Sequence, residues 1–217
     1  KNFEYYSVED GLIAYEIASI HVDDRDNIWA GTFGGGVAVY DGKTWGSIDK
    51  RDGLVNNTIR SIWNYGNTYW FGSSKGISQY KPTTNTGFVK IKEVVTANKN
   101  YVLSRSDDTP ESIVGNRINF KVVASNYNTI SEKQKFRYRV PELSEEWGKA
   151  TTSTIFDWVP DVSGSFTFQV QSIDRDMNYS PPQSLSFVIF PPWYTNPKTA
   201  IPFWGMLLFL IASSKSE

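Results

Sequence analysis

Short stretches of alternating polar and apolar residues run along the whole chain and predict β-strands rather than helices. In the N-terminal part IASIHV, IWAGTF, VAVY and TWGSI are such stretches, and turn-forming segments rich in Gly and Asp separate them. Further along, GSFTFQVQSID places Phe166, Phe168 and Val170 on one face and Thr167 and Gln169 on the other. The pattern predicts an all-β protein.

The N-terminal strand pattern occurs twice, with a period of about 40 to 42 residues. The matched positions are Asp10-Gly11-Leu12 with Asp52-Gly53-Leu54, Trp29 with Trp70, Gly31 with Gly72, Gly36 with Gly76 and Tyr40 with Tyr80. This period is that of one four-stranded propeller blade. We therefore predict two blades in residues 1–82, which form an incomplete propeller because two blades cannot close a ring.

Glycines recur at fixed places in both copies. Gly31 and Gly72 lie inside strands, where glycine is expected only if another group approaches closely, and the ring of Trp29 or Trp70 is the expected neighbour. Residues 34–36 are three glycines that allow positive φ in a hairpin. A phosphate-binding loop would be followed by a helix, whereas the strand VAVY follows here, so the glycines indicate a turn.

A second series of strands begins after KPTTNTG, residues 81–87, which has the composition of a linker. The strands predicted are FVKIKEVVTA, NRINFKVVASNY, KQKFRYRV, STIFDWV, GSFTFQVQSID and QSLSFVIF. Their spacing, with polar turns between them, is typical of an antiparallel sandwich. We predict a domain of the immunoglobulin or fibronectin III type in residues 86–192.

The C-terminal part, residues 193–217, contains an almost wholly apolar run, IPFWGMLLFLIA, that starts at Ile201. The run is shorter than the ~20 residues that span a bilayer. Aromatic residues just before and within it, Trp193, Tyr194 and Trp204, suit a membrane interface. We expect a juxtamembrane segment followed by the start of a transmembrane helix; the alternative is a strand or a helix buried against the sandwich.

Composition and charge exclude several classes of function. The 217 residues carry a net charge of −1 with scattered Lys and Arg, so we predict no nucleic-acid partner. Cysteine is absent, and the one histidine, His21, coincides with Trp63 in the repeat, so no catalytic residues are assigned. Asp23, Asp24 and Asp26 lack the spacing of a calcium loop and predict a turn. We predict no metal and no cofactor.

A candidate ligand site lies on the predicted turns of the two blades. The connection KRDGLVNNT and the turns FGGG and SSKG are expected on one face of the propeller. Phe33 can stack on a sugar ring there. The expected hydrogen-bonding residues are Arg51, Asn56, Asn57 and Lys75. The alternative is that these residues only build turns and contact solvent.

The residues D-x-x-N-I-W-A-G-T-x-G-G-G-V-x-x-Y resemble the two-component regulator propeller repeat of bacterial membrane receptors. Residues 86–194 resemble the three-tyrosine domain that follows those propellers, through FRYRVPELSEEW, FDWVPDVSGSFTFQVQSIDRDMNYS and LSFVIFPPWY. Tyr138 matches the first name-giving tyrosine, and Trp147 matches the motif's tryptophan. Phe156 and Phe166 stand where the other two tyrosines are expected, and Glu142 replaces a glycine.

This resemblance implies an extracytoplasmic, periplasmic sensor fragment that is anchored in the inner membrane through its C-terminal segment. It implies an oligosaccharide ligand, a homodimer in the full receptor, and an output such as a histidine kinase or a diguanylate cyclase outside this segment, which is not itself an enzyme. Two alternatives remain open: a fragment of a propeller-based polysaccharide-degrading enzyme, and a carbohydrate-binding or adhesion module.

Overall fold

The computed structural model describes residues 3–104, 108–126, 129–195 and 201. The strands found in this part of the chain form four sheets, and none of these sheets closes on itself. The strands are β1 (Ile17–Val22), β2 (Ile28–Thr32), β3 (Val37–Tyr40), β4 (Trp45–Ile48), β5 (Ile59–Tyr65), β6 (Thr68–Ser73), β7 (Gly76–Tyr80), β8 (Phe88–Val95), β9 (Asn100–Val102), β10 (Glu111–Ile113), β11 (Ile118–Ser125), β12 (Lys135–Arg139), β13 (Ile155–Trp158), β14 (Gly164–Ile173) and β15 (Gln183–Phe190).

The first repeat is a four-stranded antiparallel sheet with its strands in chain order, β1-β2-β3-β4, as its sequence predicts. We call this sheet blade 1. The second repeat, blade 2, is the three-stranded sheet β5-β6-β7. It differs from blade 1 because the chain does not return after Tyr80 for a fourth strand but continues through the linker into β8.

The Asp-Gly-Leu segment that opens each repeat forms the same capped turn in both copies. Asp10 and Asp52 each accept a hydrogen bond from the backbone N–H of the residue that caps the turn, at 2.9 Å in both cases. The next residues, Gly11 and Gly53, have φ of 113° and 110°, a region that favours glycine. The sequence repeat is therefore also a repeat of backbone structure.

The two blades pack face to face through aromatic rings. Trp29 of blade 1 is buried, with its ring centroid 4.1 Å from that of Tyr69 and 6.0 Å from that of Phe71. On the same side His21 Nε2 lies 2.5 Å from Asn64 Oδ1 of blade 2. The single histidine thus contributes one hydrogen bond between the two blades, which agrees with the structural role that the repeat predicts for its position.

The glycine inside β2 is required by the neighbouring blade. A Cβ added to Gly31 would lie 2.8 Å from the backbone oxygen of Ile59 and would also collide with Ser19. In blade 2 the equivalent Gly72 faces Ser61. The expected close approach is real, but the expectation of a tryptophan ring as its cause is wrong: a serine on the adjacent strand and, in blade 1, the next backbone occupy the space.

The outer face of blade 2 is exposed. Trp63, Tyr65 and Ile77 expose 57%, 77% and 72% of their surfaces, and the Trp63 ring lies 5.2 Å from that of Trp70. In the repeat, these three positions are equivalent to positions whose side chains blade 1 turns towards blade 2. The same sequence face is therefore buried in one blade and exposed in the other.

Two four-stranded sheets, β13-β11-β8-β9 and β10-β15-β14-β12, form a sandwich. All six predicted strands are present, and the three-residue strands β9 and β10 add to them. Phe120 and Phe168 stack across the core with centroids 4.1 Å apart, and Phe187 packs on the edge of Phe120. The alternation of β14 buries its Phe166, Phe168 and Val170 side, as the sequence predicts.

The C-terminal segment is described only for Trp193–Thr195 and residue 201. Trp193 and Tyr194 are more than half exposed at this point. Most of the run that we expect to start a transmembrane helix lies outside the described residues. Within the described part of the chain, no helix has the length and apolar character needed to cross a bilayer.

Candidate functional site

The predicted ligand face is built where the β2–β3 turn meets the connection between the blades. The backbone N–H groups of Gly34 and Gly36 donate to the carbonyl oxygen of Asn57, at 3.2 and 2.8 Å. The Asn57 side chain accepts from the backbone N–H of Lys50 at 2.8 Å. Phe33 begins this turn and is half exposed. The turn and the connection thus share one face, and Asn57 fastens them together.

The other three predicted residues have different surroundings. Arg51 donates to Asp49 at 2.7 Å and lies 3.7 Å from Glu132 of the sandwich. The Asn56 side chain accepts from a backbone N–H two residues further on, at 3.2 Å. Lys75 lies exposed at the corresponding turn of blade 2. Arg51, Asn56 and Asn57 therefore support the turns, whereas the side chains of Phe33 and Lys75 are exposed.

Asp23 is enclosed by hydrogen-bond donors. It accepts from Trp29 Nε1 at 2.8 Å, from the Tyr69 hydroxyl at 2.6 Å and from the Asn27 amide at 2.9 Å. Burial by itself raises the pKa of Asp23, but these donors outweigh burial and lower the pKa to about 2. The carboxylate therefore stabilises the turn and the contact between the blades.

The other two aspartates of this turn, Asp24 and Asp26, are exposed. Among the residues that the structure describes, no group of three or more His, Cys, Asp or Glu side chains is placed to hold a metal ion. The segment that contains Asp23, Asp24 and Asp26 forms a turn, as its sequence predicts.

The three-tyrosine positions lie in the sandwich core. The Tyr138 ring is 4.8 Å from the Phe156 ring, and Phe166 packs on the edge of Trp158 at 5.4 Å. Both phenylalanines are buried, with 5% and 6% of their surface exposed. The packing role of these positions survives without the hydroxyl groups. Glu142, in place of the expected glycine, accepts from the backbone N–H of Thr167 at 3.0 Å.

Trp147 takes part in a row of side chains that leads from the sandwich to blade 1. The Arg137 guanidinium lies 4.8 Å from the Trp147 ring centroid and 4.4 Å from that of Tyr179. The Tyr179 hydroxyl donates to Asp41 of blade 1 at 2.7 Å. Burial lowers the pKa of Arg137. Trp147, a position of the three-tyrosine motif, is thus connected to blade 1 through three successive contacts.

A buried ionic cluster joins the blades to the sandwich. The Asp52 side chain is 1% exposed and contacts two cations of the sandwich, Lys133 and Arg175, the latter at 3.3 Å. Lys133 also lies 2.9 Å from Asp49. The repeat predicts a turn position for Asp52, but it does not predict this contact. The sequence does contain a signal for this contact, because the second Asp-Gly-Leu copy directly precedes the last blade before the sandwich.

Comparison with known proteins gives one family. Residues 128–190 match the model of the Y_Y_Y domain. The chain contains a Y_Y_Y domain. The matched residues include β12 to β15 and the ionic-cluster residues Lys133 and Arg175, so the Y_Y_Y domain supplies the sandwich side of the ionic cluster. No curated protein matches the chain.

Among solved structures, the Y_Y_Y domain and the blades together match one described as "the extracellular domain of the putative hybrid two component system BT3049 from B. thetaiotaomicron". The TM-score is 0.51 at 21% identity, over 88% of this chain and 28% of that chain. A second such domain, of BT4673 from the same organism, matches at a TM-score of 0.39 and 20% identity, over 83% of this chain and 26% of that one.

The chain therefore spans less than a third of the length of these extracellular domains. A structure of the fibronectin(III)-like modules of Clostridium thermocellum CbhA matches at a TM-score of 0.37 and 15% identity, over 82% of this chain and 88% of that one. The resemblance found in the sequence is confirmed by the Y_Y_Y match and by the shared fold of the first structure.

Proposed function

We propose that this chain is the sensor and relay part of a bacterial two-component receptor, on the periplasmic side of the inner membrane, and not an enzyme in itself. One observation carries the proposal: the blades and the Y_Y_Y domain occur together, in one fold match over 88% of the chain, with an extracellular domain of a hybrid two-component system. Because a shared fold is an analogy of function, the proposal needs a direct test.

In this proposal an oligosaccharide binds to the turn face of the blades, with Phe33 stacking on a sugar ring and Lys75 donating to its hydroxyl or carboxylate groups. The receptor is a homodimer, and the ligand favours one of two dimer geometries because it binds that geometry better. The Y_Y_Y domain passes the change to the segment of residues 193–217, which anchors the chain in the membrane.

The ligand part is tested by titrating neutral and uronate-containing oligosaccharides against the chain by calorimetry. Phe33→Ala weakens binding about three- to tenfold through lost stacking. The matched control is Phe190→Ala, which removes a similarly exposed ring from the sandwich. Lys75→Ala is paired with Lys43→Ala in the same way. Equal affinities for the site variants and their controls would contradict the assignment of this face.

The receptor part is tested by isolating the native protein from membranes of the source cell with an antibody against residues 86–192. A mass far above 24.6 kDa in the membrane fraction is the expected result. A soluble species near 24.6 kDa overturns the signalling role. Turnover of a polysaccharide by the native protein favours the enzyme alternative instead.

A further inference from the structure

The connection between β14 and β15 contacts the blades along much of its length. Its residues 174–179 read Asp-Arg-Asp-Met-Asn-Tyr. We call this segment the junction loop. Arg175 reaches Asp52, and Tyr179 reaches Asp41, so both ends of the loop hold a blade residue.

The middle of the junction loop binds the end of blade 2 and the linker. Asp176, whose side chain is 1% exposed, accepts from the hydroxyl of Tyr80 and from the side chain and the backbone of Thr83, at 2.6 and 2.9 Å. Asn178 donates to the carbonyl oxygen of Thr83 at 2.9 Å. Burial raises the pKa of Tyr80, and the nearby Asp176 charge raises it further, so the tyrosine stays a donor. These contacts tie the linker to the loop.

Met177 is the apolar contact of the loop. It packs against the core that contains Trp29 and Val39, and its sulfur lies 2.6 Å from where a Cβ of Gly46 would be. Gly46 therefore leaves the space that the methionine fills. A thioether on an unbranched side chain adapts well to such a gap between two modules.

The junction loop has the same backbone turn as residues 23–27 of blade 1. In both, an aspartate accepts from the backbone N–H and the side chain of an asparagine four residues later. The residue before that asparagine has positive φ, 63° at Asp26 and 61° at Met177. Aspartate is enriched in this region, whereas an unbranched apolar residue is uncommon there. The turn itself thus gives no reason for a methionine at position 177.

We infer that the junction loop locks the Y_Y_Y domain to the last two blades, with Met177 as its central positioning residue, so that the two parts move as one body. A residue keeps an unfavourable backbone conformation when its side chain serves another purpose. For Met177 that purpose is contact with the blades. The meaning of the lock for signalling rests on the proposed function. A locked joint transmits rotation of the blades undiminished, whereas a flexible one absorbs it.

The test measures the distance between a spin label on the blades and one on the sandwich by pulsed electron paramagnetic resonance. The chain has no cysteine, so Ser74→Cys and Asp161→Cys, at two exposed positions, give unique labels. The key variant is Met177→Gly, which relieves the positive φ while it removes the contact. Its matched control is Asp26→Gly, the same change at the same place in the other turn.

The expected result is one narrow distance peak for the parent chain and for Asp26→Gly, and loss of the narrow peak for Met177→Gly. An equally narrow peak for Met177→Gly overturns the lock. Should that variant lose its β-sheet circular dichroism, Arg175→Gln combined with Asp176→Asn removes the two charges with which the loop contacts Asp52 and Tyr80, and the same distance measurement decides. No ligand or membrane is present, so the lock and the sensor role can fail separately.

Discussion

The two blades have nearly the same sequence pattern but opposite surroundings. Trp29 of blade 1 is 4% exposed between the blades, whereas the equivalent Trp70 lies on the outer face of blade 2 beside the exposed Trp63. Asp10 at the start of blade 1 is exposed, and its equivalent Asp52 is buried among cations of the sandwich. The repeat therefore specifies the backbone and the turns, whereas the elements packed around each blade determine how much a given position contributes to stability.

The largest effect is expected at the tryptophan pair. Trp29→Ala lowers the free energy of unfolding by about 4 kcal/mol, because it leaves a cavity between the blades. Trp70→Ala costs less than about 1 kcal/mol, since truncating a ring on a solvent-facing surface leaves no enclosed cavity. Urea unfolding of both variants measures the difference. Equal losses would mean that the outer face of blade 2 is as tightly packed as the inner face.

The aspartate pair is expected to differ next. Asp10→Asn and Asp52→Asn both weaken the capped turn, because each replaces a charged acceptor of a backbone N–H with a neutral amide. Asp52→Asn costs about 3 kcal/mol in total, because Lys133 and Arg175 then lose a buried counter-ion. Thermal unfolding followed by circular dichroism compares them. A loss for Asp52→Asn no larger than that for Asp10→Asn would contradict a structural role of the ionic cluster.

The contact between the blades is also expected to depend on pH. Asp23 has a pKa of about 2 in the folded chain, below the value of 3.8 for an unperturbed aspartate. Its contribution of about 2 kcal/mol is therefore complete above about pH 4 and is lost as the pH falls through 2. The free energy of unfolding, measured from pH 5 to 2, gives the slope of stability against pH that tests this expectation.

Asp23→Asn provides the control for the pH experiment, because an amide at this position does not titrate. The slope should shrink in this variant while the remaining acid dependence of the chain persists. A slope that is unchanged in Asp23→Asn would show that other carboxyl groups cause it.

The smallest effect is expected at the single histidine. His21→Ala and Asn64→Ala each remove one hydrogen bond between the blades and cost about 1 kcal/mol. The double variant costs little more than either single one, because the bond is already gone. Costs that simply add in the double variant would show that the two side chains do not interact.

The sequence predicts the strands of four or more residues well, most clearly where polar and apolar side chains alternate, as in β14, where Phe166 and Phe168 face the core. It misses β9 and β10, since three residues are too few to show alternation. The turn face around Phe33 follows from glycine patterns and from the repeat. Alternation, glycine patterns and the repeat can all be identified directly in a single sequence.

The junction could not be predicted in the same way. Asp52 and Arg175 lie far apart in the chain, and a charged residue in a turn has the composition of a solvent-exposed one. Only folding brings the second repeat against the sandwich. Met177 gives a local signal, because an apolar residue stands where an Asp-to-Asn turn places positive φ.

The position of β15 within its sheet has a mechanical consequence. It lies between β14, to which it is antiparallel, and β10, to which it is parallel, and it is the last described strand before Trp193. A pull directed along this strand from its C-terminal end acts at right angles to its hydrogen bonds with β14 and obliquely to its slanted hydrogen bonds with β10. The bonds on both sides then share the load in shear, instead of breaking one after another as in an unzipping hairpin. The sandwich is therefore built to resist tension applied from its C-terminal side.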